Sequence, residues 1–180
     1  MTQLEDLLLS RSVRHGDFVL ASGQRSSYYI DCRLTTMSAE GMVLIGQEGL
    51  RAIRDAGWRA SAVGGLTLGA DPVAYAIAAA SFGAGPALDA FSVRKEAKQH
   101  GTQRLIEGNF VAGAMVVVVE DVITSGSSAL RAIDAVTGGG GSVAGILAVV
   151  DREQGGRARL EQAGFPVRFL TTATRLGLRS

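Results

Sequence analysis

The sequence predicts an α/β fold with a central, mostly parallel sheet flanked by helices. Three observations carry this expectation. Short apolar runs alternate with amphipathic segments along most of the chain, the pattern of successive strand and crossover-helix units. Met115-Val116-Val117-Val118-Val119 is apolar without alternation, as expected of a strand buried on both faces of a parallel sheet. The 180 residues are 47% hydrophobic and 19% charged, enough for one core, and no linker composition divides them, so a single domain is expected over 1–180.

Taken in order, residues 2–14 read as an amphipathic helix, with Thr2 and Glu5 in capping-box spacing. Ser22-Gly23-Gln24-Arg25-Ser26-Ser27 followed by Tyr28-Tyr29 reads as a hairpin turn whose edge presents an aromatic face. Residues 36–56 give one long helix stopped by Gly57. Strands at Ala62-Val63-Gly64, 88–93, 115–120, 143–150 and 167–170 then alternate with helices over 70–82, 127–137 and 155–163. Gly138-Gly139-Gly140-Gly141 precedes a strand rather than a helix, so it is a helix stop and turn and not a phosphate loop. His15 reads as a helix-end cation or structural residue, and Cys32 as a strand filler.

The chemistry concentrates after the valine run, in Glu120-Asp121-Val122-Ile123-Thr124-Ser125-Gly126-Ser127-Ser128. This stretch lies at the carboxyl end of a parallel strand and opens a helix, where α/β sheets bind ligands. The helix N-terminus offers unpaired N–H groups and partial positive charge, the four hydroxyls add donors, and Gly126 lets the backbone approach an anion closely. A phosphate monoester suits such a loop. Glu120 and Asp121 would repel that anion, so they more naturally accept hydrogen bonds from sugar hydroxyls or help hold a metal; a ribose 5-phosphate satisfies loop and acids together. The G-x-x-x-x-G-K-[ST] loop of nucleoside-triphosphate binders is absent.

A second cluster, Arg94, Lys95, Lys98 and His100, follows the strand Ala90-Phe91-Ser92-Val93. The run 99–109 lacks an apolar stripe and contains Gly101 and Gly108, so it reads as a mobile loop that could close over a reaction and exclude water, the alternative being a basic loop that simply faces solvent. At the end of Val149-Val150-Asp151-Arg152, Arg152 offers a guanidinium that pairs bidentately with a planar carboxylate, the alternative being a salt bridge to Asp151 or Glu153.

Composition narrows the function classes. A net charge of +1 with otherwise dispersed basic residues argues against a nucleic-acid surface. The single cysteine points to a reducing cytoplasm. Glu5 and Asp6 beside Leu7-Leu8-Leu9 are unlike a signal peptide, and no apolar run reaches membrane-spanning length, so no membrane partner is expected.

The stretch 120–128 resembles the phosphoribosyl-diphosphate signature of type I phosphoribosyltransferases, and the other stretches make the chain similar to orotate phosphoribosyltransferases over most of its length. The resemblance implies the type I phosphoribosyltransferase fold, with a small hood formed by N-terminal segments, and transfer of the 5-phosphoribosyl group from 5-phosphoribosyl 1-diphosphate to N1 of orotate. It implies Lys98, Asp121 and Glu120 as catalytic residues. Arg94, Lys95, Lys98, His100, Glu120, Asp121, Val122, Ile123, Thr124, Ser125, Gly126, Ser127 and Ser128 would bind the phosphoribosyl diphosphate, and Thr124, Arg152, Tyr28 and Tyr29 the orotate. The turn 64–72 is similar to the family's diphosphate-binding loop. Mg²⁺ is implied as cofactor, carried by the diphosphate without a direct protein ligand, and a homodimer is implied in which loop 94–108 is shared across subunits. Where many members carry lysines, this chain has Ala21 and Leu68, leaving fewer cationic contacts. A phosphoribosyltransferase for another base, or a non-catalytic regulator on the same fold, are the alternatives.

Overall fold

The computed structural model describes residues 1–19, 25–96 and 105–178. Among them the elements run α1 (Gln3–Arg11), β1 (Val13–Val19), β2 (Arg25–Ile30), α2 (Arg33–Thr36), α3 (Ala39–Asp55), β3 (Ala62–Leu66), α4 (Ala70–Ser81), β4 (Asp89–Val93), β5 (Ile106–Gly108), β6 (Met115–Ile123), α5 (Ser127–Gly138), β7 (Ser142–Asp151), α6 (Gly156–Gln162) and β8 (Val167–Thr172). The main sheet has the order β5-β4-β3-β6-β7-β8, parallel except for the antiparallel edge strand β5. The expected α/β architecture with a mostly parallel sheet is thus observed, and β1 pairs antiparallel with β2 in a separate two-stranded sheet, the hood.

The valine run explains the centre of the sheet. Val117 and Val119 face a core built with Ile45, Ile53, Val73 and Ile77 of α3 and α4, while Val116 and Val118 face a second core with Ala132, Ile133, Val136 and Leu160 of α5 and α6. All four valines are fully buried, each contributing about 1.5–3 kcal/mol of hydrophobic stabilisation. Small residues let the helices close onto this sheet: a Cβ on Gly46 would lie 2.5 Å from the Ala76 carbonyl oxygen, and one on Gly49 2.8 Å from the Ile77 side chain.

Several expected boundaries shift. The helix expected over 2–14 stops at Arg11 and the chain turns into β1, so His15 is an exposed strand residue opposite Tyr28, not a helix-end cation. The capping box itself is present: Glu5 N–H donates to Thr2 Oγ1 and Thr2 N–H to Glu5 Oε2. Glu5 also anchors α1 to the end of the main sheet, accepting from Thr171 Oγ1 and pairing with Arg175, both at 2.8 Å. The helix expected over 36–56 is observed as α3 over Ala39–Asp55, starting three residues later because Ser38 adopts extended backbone, accepts from Gly41 N–H as its cap and donates back to the Thr35 carbonyl; the short α2 lies before it. Cys32 is buried at the N-terminal boundary of α2 instead of filling a strand. Residues 106–108, expected in a loop, form β5 against β4. Gly139 caps α5 and Gly140 turns at φ +80°, as the glycine run predicts.

Candidate active site

β6 is longer than its apolar run. It continues through Glu120 and Asp121 to Ile123, with Glu120 level with Ala148 and Val122 with Val150 of β7. The two acids therefore stand on a rigid strand, and alternation sends them to opposite faces. Glu120 is only 5% exposed and its Oε1 has no hydrogen-bond partner among the described residues. Burial, with the charge of Asp121 second, pushes Glu120 up to about 8. Asp121 is half-buried; burial raises it above the ordinary carboxylate range, against lowering by the Val122 N–H at 2.9 Å and by the Arg33 charge. Burial thus favours the protonated form of Glu120, which can donate as well as accept, and a ligand hydroxyl would meet the orphaned Oε1.

The loop after β6 makes a cradle. Gly126 sits at φ +75° as N-cap of α5 with no side chain capping the helix, which leaves the first-turn N–H groups facing a small cavity of about 90 Å³. Thr124, Ser125, Ser127 and Ser128 line it together with Glu120, and the Ser125 and Ser127 hydroxyls lie 3.0 Å apart. The shape and donors suit one tetrahedral anion.

Arg152 follows β7 directly. Its backbone N–H bonds the Ile123 carbonyl at 3.0 Å, which sets it beside the start of the cradle. The residue is only 7% exposed, yet Nε and Nη2 lack hydrogen-bond partners among the described residues. The sequence left a salt bridge to Asp151 or Glu153 open. Instead Asp151 accepts from Glu153 N–H, Glu153 accepts from Thr174 N–H, and the guanidinium lies 5.0 Å from the Tyr28 ring centroid. A buried cation with two unused donors is costly unless a ligand completes it, and a planar carboxylate has the matching geometry.

The hood supplies two tyrosines with different fates. Tyr28 is 1% exposed, packed in the core under Arg152 with its hydroxyl unpartnered among the described residues. Tyr29 is 40% exposed and leans on Phe18 at 5.7 Å. Strand alternation separates them, so at most one ring can share a face with Arg152. The hood also brings in the Asp31–Arg33 pair, bidentate at 2.8 and 3.0 Å, whose charges act on Asp121. Nothing local in the sequence marked that pair, since only the chain path brings α2 to the end of β6.

On the other flank, the loop between β3 and α4 presses against Asp121: a Cβ on Gly69 would lie 2.5 Å from Asp121 Oδ1. The Thr67-Leu68 peptide is cis, and Thr67 Oγ1 donates to Asp71. Arg94 is half-buried and paired with Glu107 at 2.9 Å, and Lys95 is exposed with its carbonyl held by Arg131 at 2.6 Å. Both line a larger groove of about 770 Å³ whose floor includes Leu66, Val93 and Phe110; its apolar character distinguishes it from the anion cradle. Lys98 and His100 lie outside the described residues, as do Ala21 to Gln24.

The donors at the end of β6 are carboxylate and hydroxyl oxygens, the ligand type a hard cation such as Mg²⁺ takes, so they suit a cation carried in by a phosphate ligand rather than one held by the protein alone; the one nearby thiol, Cys32, is buried and pushed well up by desolvation and by Asp121 and Asp31. Among the described residues no group of three or more His, Cys, Asp or Glu is placed to hold a metal ion, and no helix is long and apolar enough to cross a membrane.

No protein-family model matches the chain. It is 47% identical over 178 residues to the orotate phosphoribosyltransferase of Mycobacterium avium (strain 104), covering 99% of this chain and 97% of that one. The crystal structure of Mycobacterium tuberculosis H37Rv orotate phosphoribosyltransferase in complex with Fe(III) dicitrate superposes with a TM-score of 0.87 at 46% identity, covering 98% of each chain. The same protein in complex with 5-phospho-alpha-D-ribosyl 1-diphosphate gives 0.84 at 42% identity, again covering 98% of each. With a strand-end acid pair, an anion cradle and an unsatisfied guanidinium held together at the carboxyl ends of β6 and β7, and relatives matched at this identity from end to end, the chain belongs to the orotate phosphoribosyltransferase family.

Proposed function

We propose that this chain, as one phosphoribosyltransferase domain over 1–180, transfers the 5-phosphoribosyl group of 5-phosphoribosyl 1-diphosphate to N1 of orotate, giving orotidine 5′-phosphate and diphosphate in pyrimidine biosynthesis. The observation that carries the choice of base is Arg152: a buried guanidinium with free Nε and Nη2 asks for a planar carboxylate, which orotate has and other common nucleobases lack.

In this reading the cradle from Thr124 to Ser128 takes the 5-phosphate and the backbone of Val122 and Ile123 borders it. Glu120 and Asp121 hold the ribose hydroxyls; the raised proton affinity of Glu120 lets it donate or accept as the ribose gains positive charge. The loop from Gly64 to Pro72 and the cations Arg94, Lys95, Lys98 and His100 surround the diphosphate, with Lys98 as the main catalytic cation stabilising charge that grows on the leaving group. Orotate lies against Arg152 and Thr124, with Tyr28 packed beneath the Arg152 guanidinium and the exposed ring of Tyr29, beside Phe18, at the hood edge. Mg²⁺, carried by the diphosphate without a direct protein ligand, supplies further charge neutralisation when bound.

We further propose a cytoplasmic homodimer that shares the segment between Lys95 and Leu105 across subunits. Residues 106–108 are excluded from that segment because they pair as β5. Mixing Lys98→Ala chains with Asp121→Asn chains tests sharing: recovered activity supports it, and none, with mixed dimers demonstrated, refutes it. The reaction itself is tested by following orotate absorbance with 5-phosphoribosyl 1-diphosphate and Mg²⁺ beside hypoxanthine, adenine and uracil, with Lys98→Ala as control. Orotate-selective turnover lost in the variant is expected; turnover of another base alone would overturn the assignment.

A further inference from the structure

The anion cradle is neutral along its hydroxyl wall, yet a cation from another element is wired into that wall. Arg159 of α6 donates from Nη1 to Ser127 Oγ at 3.0 Å and to the Ser125 carbonyl at 3.2 Å. Its placement is set by close packing. A Cβ on Gly156 would lie 2.4 Å from the Thr124 carbonyl oxygen and 2.9 Å from Gly126 N, and one on Gly126 would lie 3.0 Å from Leu160 Cγ. The first turn of α6 is therefore keyed under the loop by two glycines and the fully buried Leu160, and the neighbouring Arg159 emerges at the loop's rim.

The hydrogen-bond directions that follow are specific. A serine hydroxyl has one hydrogen and two lone pairs, and a guanidinium can only donate. With one lone pair of Ser127 Oγ taken by Arg159, the Ser127 hydrogen is directed away from the guanidinium, either to Ser125 Oγ 3.0 Å away or to a bound anion. In the first case the Ser125 hydrogen is released in turn. Ser125 is then the donor to an anion, and in the second case Ser127 is, so at least one hydroxyl of the pair faces the anion as donor, and the charge on Arg159 strengthens it.

We propose that Arg159 is a positioning residue for phosphate recognition: by occupying a lone pair of Ser127 it turns a hydrogen of the Ser127–Ser125 hydroxyl pair toward the anion, and it adds positive charge beside the 5-phosphate. This rests on the reading of residues 124–128 as the 5-phosphate site.

The test compares wild-type protein with Arg159→Gln and Arg159→Lys, using ribose 5-phosphate and inorganic diphosphate as separate competitive inhibitors. Arg159→Gln should raise KM for 5-phosphoribosyl 1-diphosphate and the inhibition constant of ribose 5-phosphate about tenfold, as loss of a charge-assisted bond predicts. KM for orotate and inhibition by diphosphate should stay within about twofold, since Arg159 acts at the phosphate end alone. Arg159→Lys should recover part of the loss, and because Arg159 is exposed the thermal midpoint should hardly move. Equal weakening of ribose 5-phosphate and diphosphate would overturn the proposal in favour of a general charge effect. Wild-type competition by ribose 5-phosphate that Arg159→Gln leaves intact sinks the role of Arg159 only; wild-type turnover without any such competition sinks the loop reading beneath it.

Discussion

The end of β6 and the end of β7 are neighbours in the sheet but were assembled in different ways. At β6, the acids, the hydroxyls and the turn glycine come from nine consecutive residues, 120–128, and the strand-to-helix geometry sets their basic arrangement. At β7, Arg152 acquires meaning only from Tyr28, a residue of the separate two-stranded sheet, and from the Ile123 carbonyl that receives its backbone N–H. The first region is a local motif on a rigid scaffold; the second is a composite wall whose parts meet only when the hood is docked. Phosphate recognition should therefore tolerate disturbance of the hood, and base recognition should not.

The largest expected break is Arg152→Gln. It should lower kcat/KM for orotate about a thousandfold while leaving affinity for 5-phosphoribosyl 1-diphosphate within a few fold, because a site built to pair a carboxylate loses its partner. Steady-state kinetics with each substrate varied would reveal the split, and equal losses on both substrates would merge the two regions into one. Folding stability should not fall much, since an unpaired buried cation is removed.

Glu120→Gln probes the local region. The folded protein holds the Glu120 proton from its ordinary value of 4.5 up to about 8, whereas the unfolded chain releases it near 4.5. Stability contributed by this group thus falls as pH rises through that window and levels off above it. Glutamine cannot ionise, so the ligand-free variant should be more stable than wild type at pH 8 by on the order of 4 kcal/mol, with the gap closing near pH 4. Turnover should drop about thirtyfold. Denaturant titrations at the two pH values check the sign; a variant less stable at pH 8 would refute the account of Glu120.

Gly126→Ala should cost about 2 kcal/mol, combining a left-handed backbone with a Cβ set against Leu160 and the Gly156 carbonyl, and should weaken phosphate binding more than orotate binding. Chemical denaturation together with inhibition by ribose 5-phosphate would measure both. The smallest effect is expected from Tyr28→Phe. Removing a buried hydroxyl without a partner among the described residues should change stability by less than about 1 kcal/mol, so any loss it causes belongs to orotate affinity. Calorimetric titration with orotate separates the two.

The errors of the sequence reading follow the same division between local and long-range determinants. The alternation of strands and helices, the two-sided burial of the valine run, the capping box at Thr2 and the glycine stop after α5 are consequences of periodicity and backbone preference, and all appear in the structure. The helix expected over 2–14 was too long because the residues after Arg11 pair with β2, and a pairing partner outweighs weak helical periodicity. β5 was missed because three residues become a strand only when β4 offers its edge. The break between α2 and α3 depends on the Ser38 hydroxyl, which bonds the backbone in competition with a continuous helix.

By itself the sequence determined the α/β class, the buried central strand and the hydroxyl-rich turn that opens a helix at its end, because apolar period, chain stiffness and capping chemistry act between residues close along the chain. Only the tertiary structure decided that Tyr28 lies under Arg152 while Tyr29 turns outward, that burial raises Glu120, and that Arg159 reaches Ser127. Those outcomes depend on desolvation and contact between segments far apart in sequence, and neither exists until the sheet, its helices and the hood have packed together.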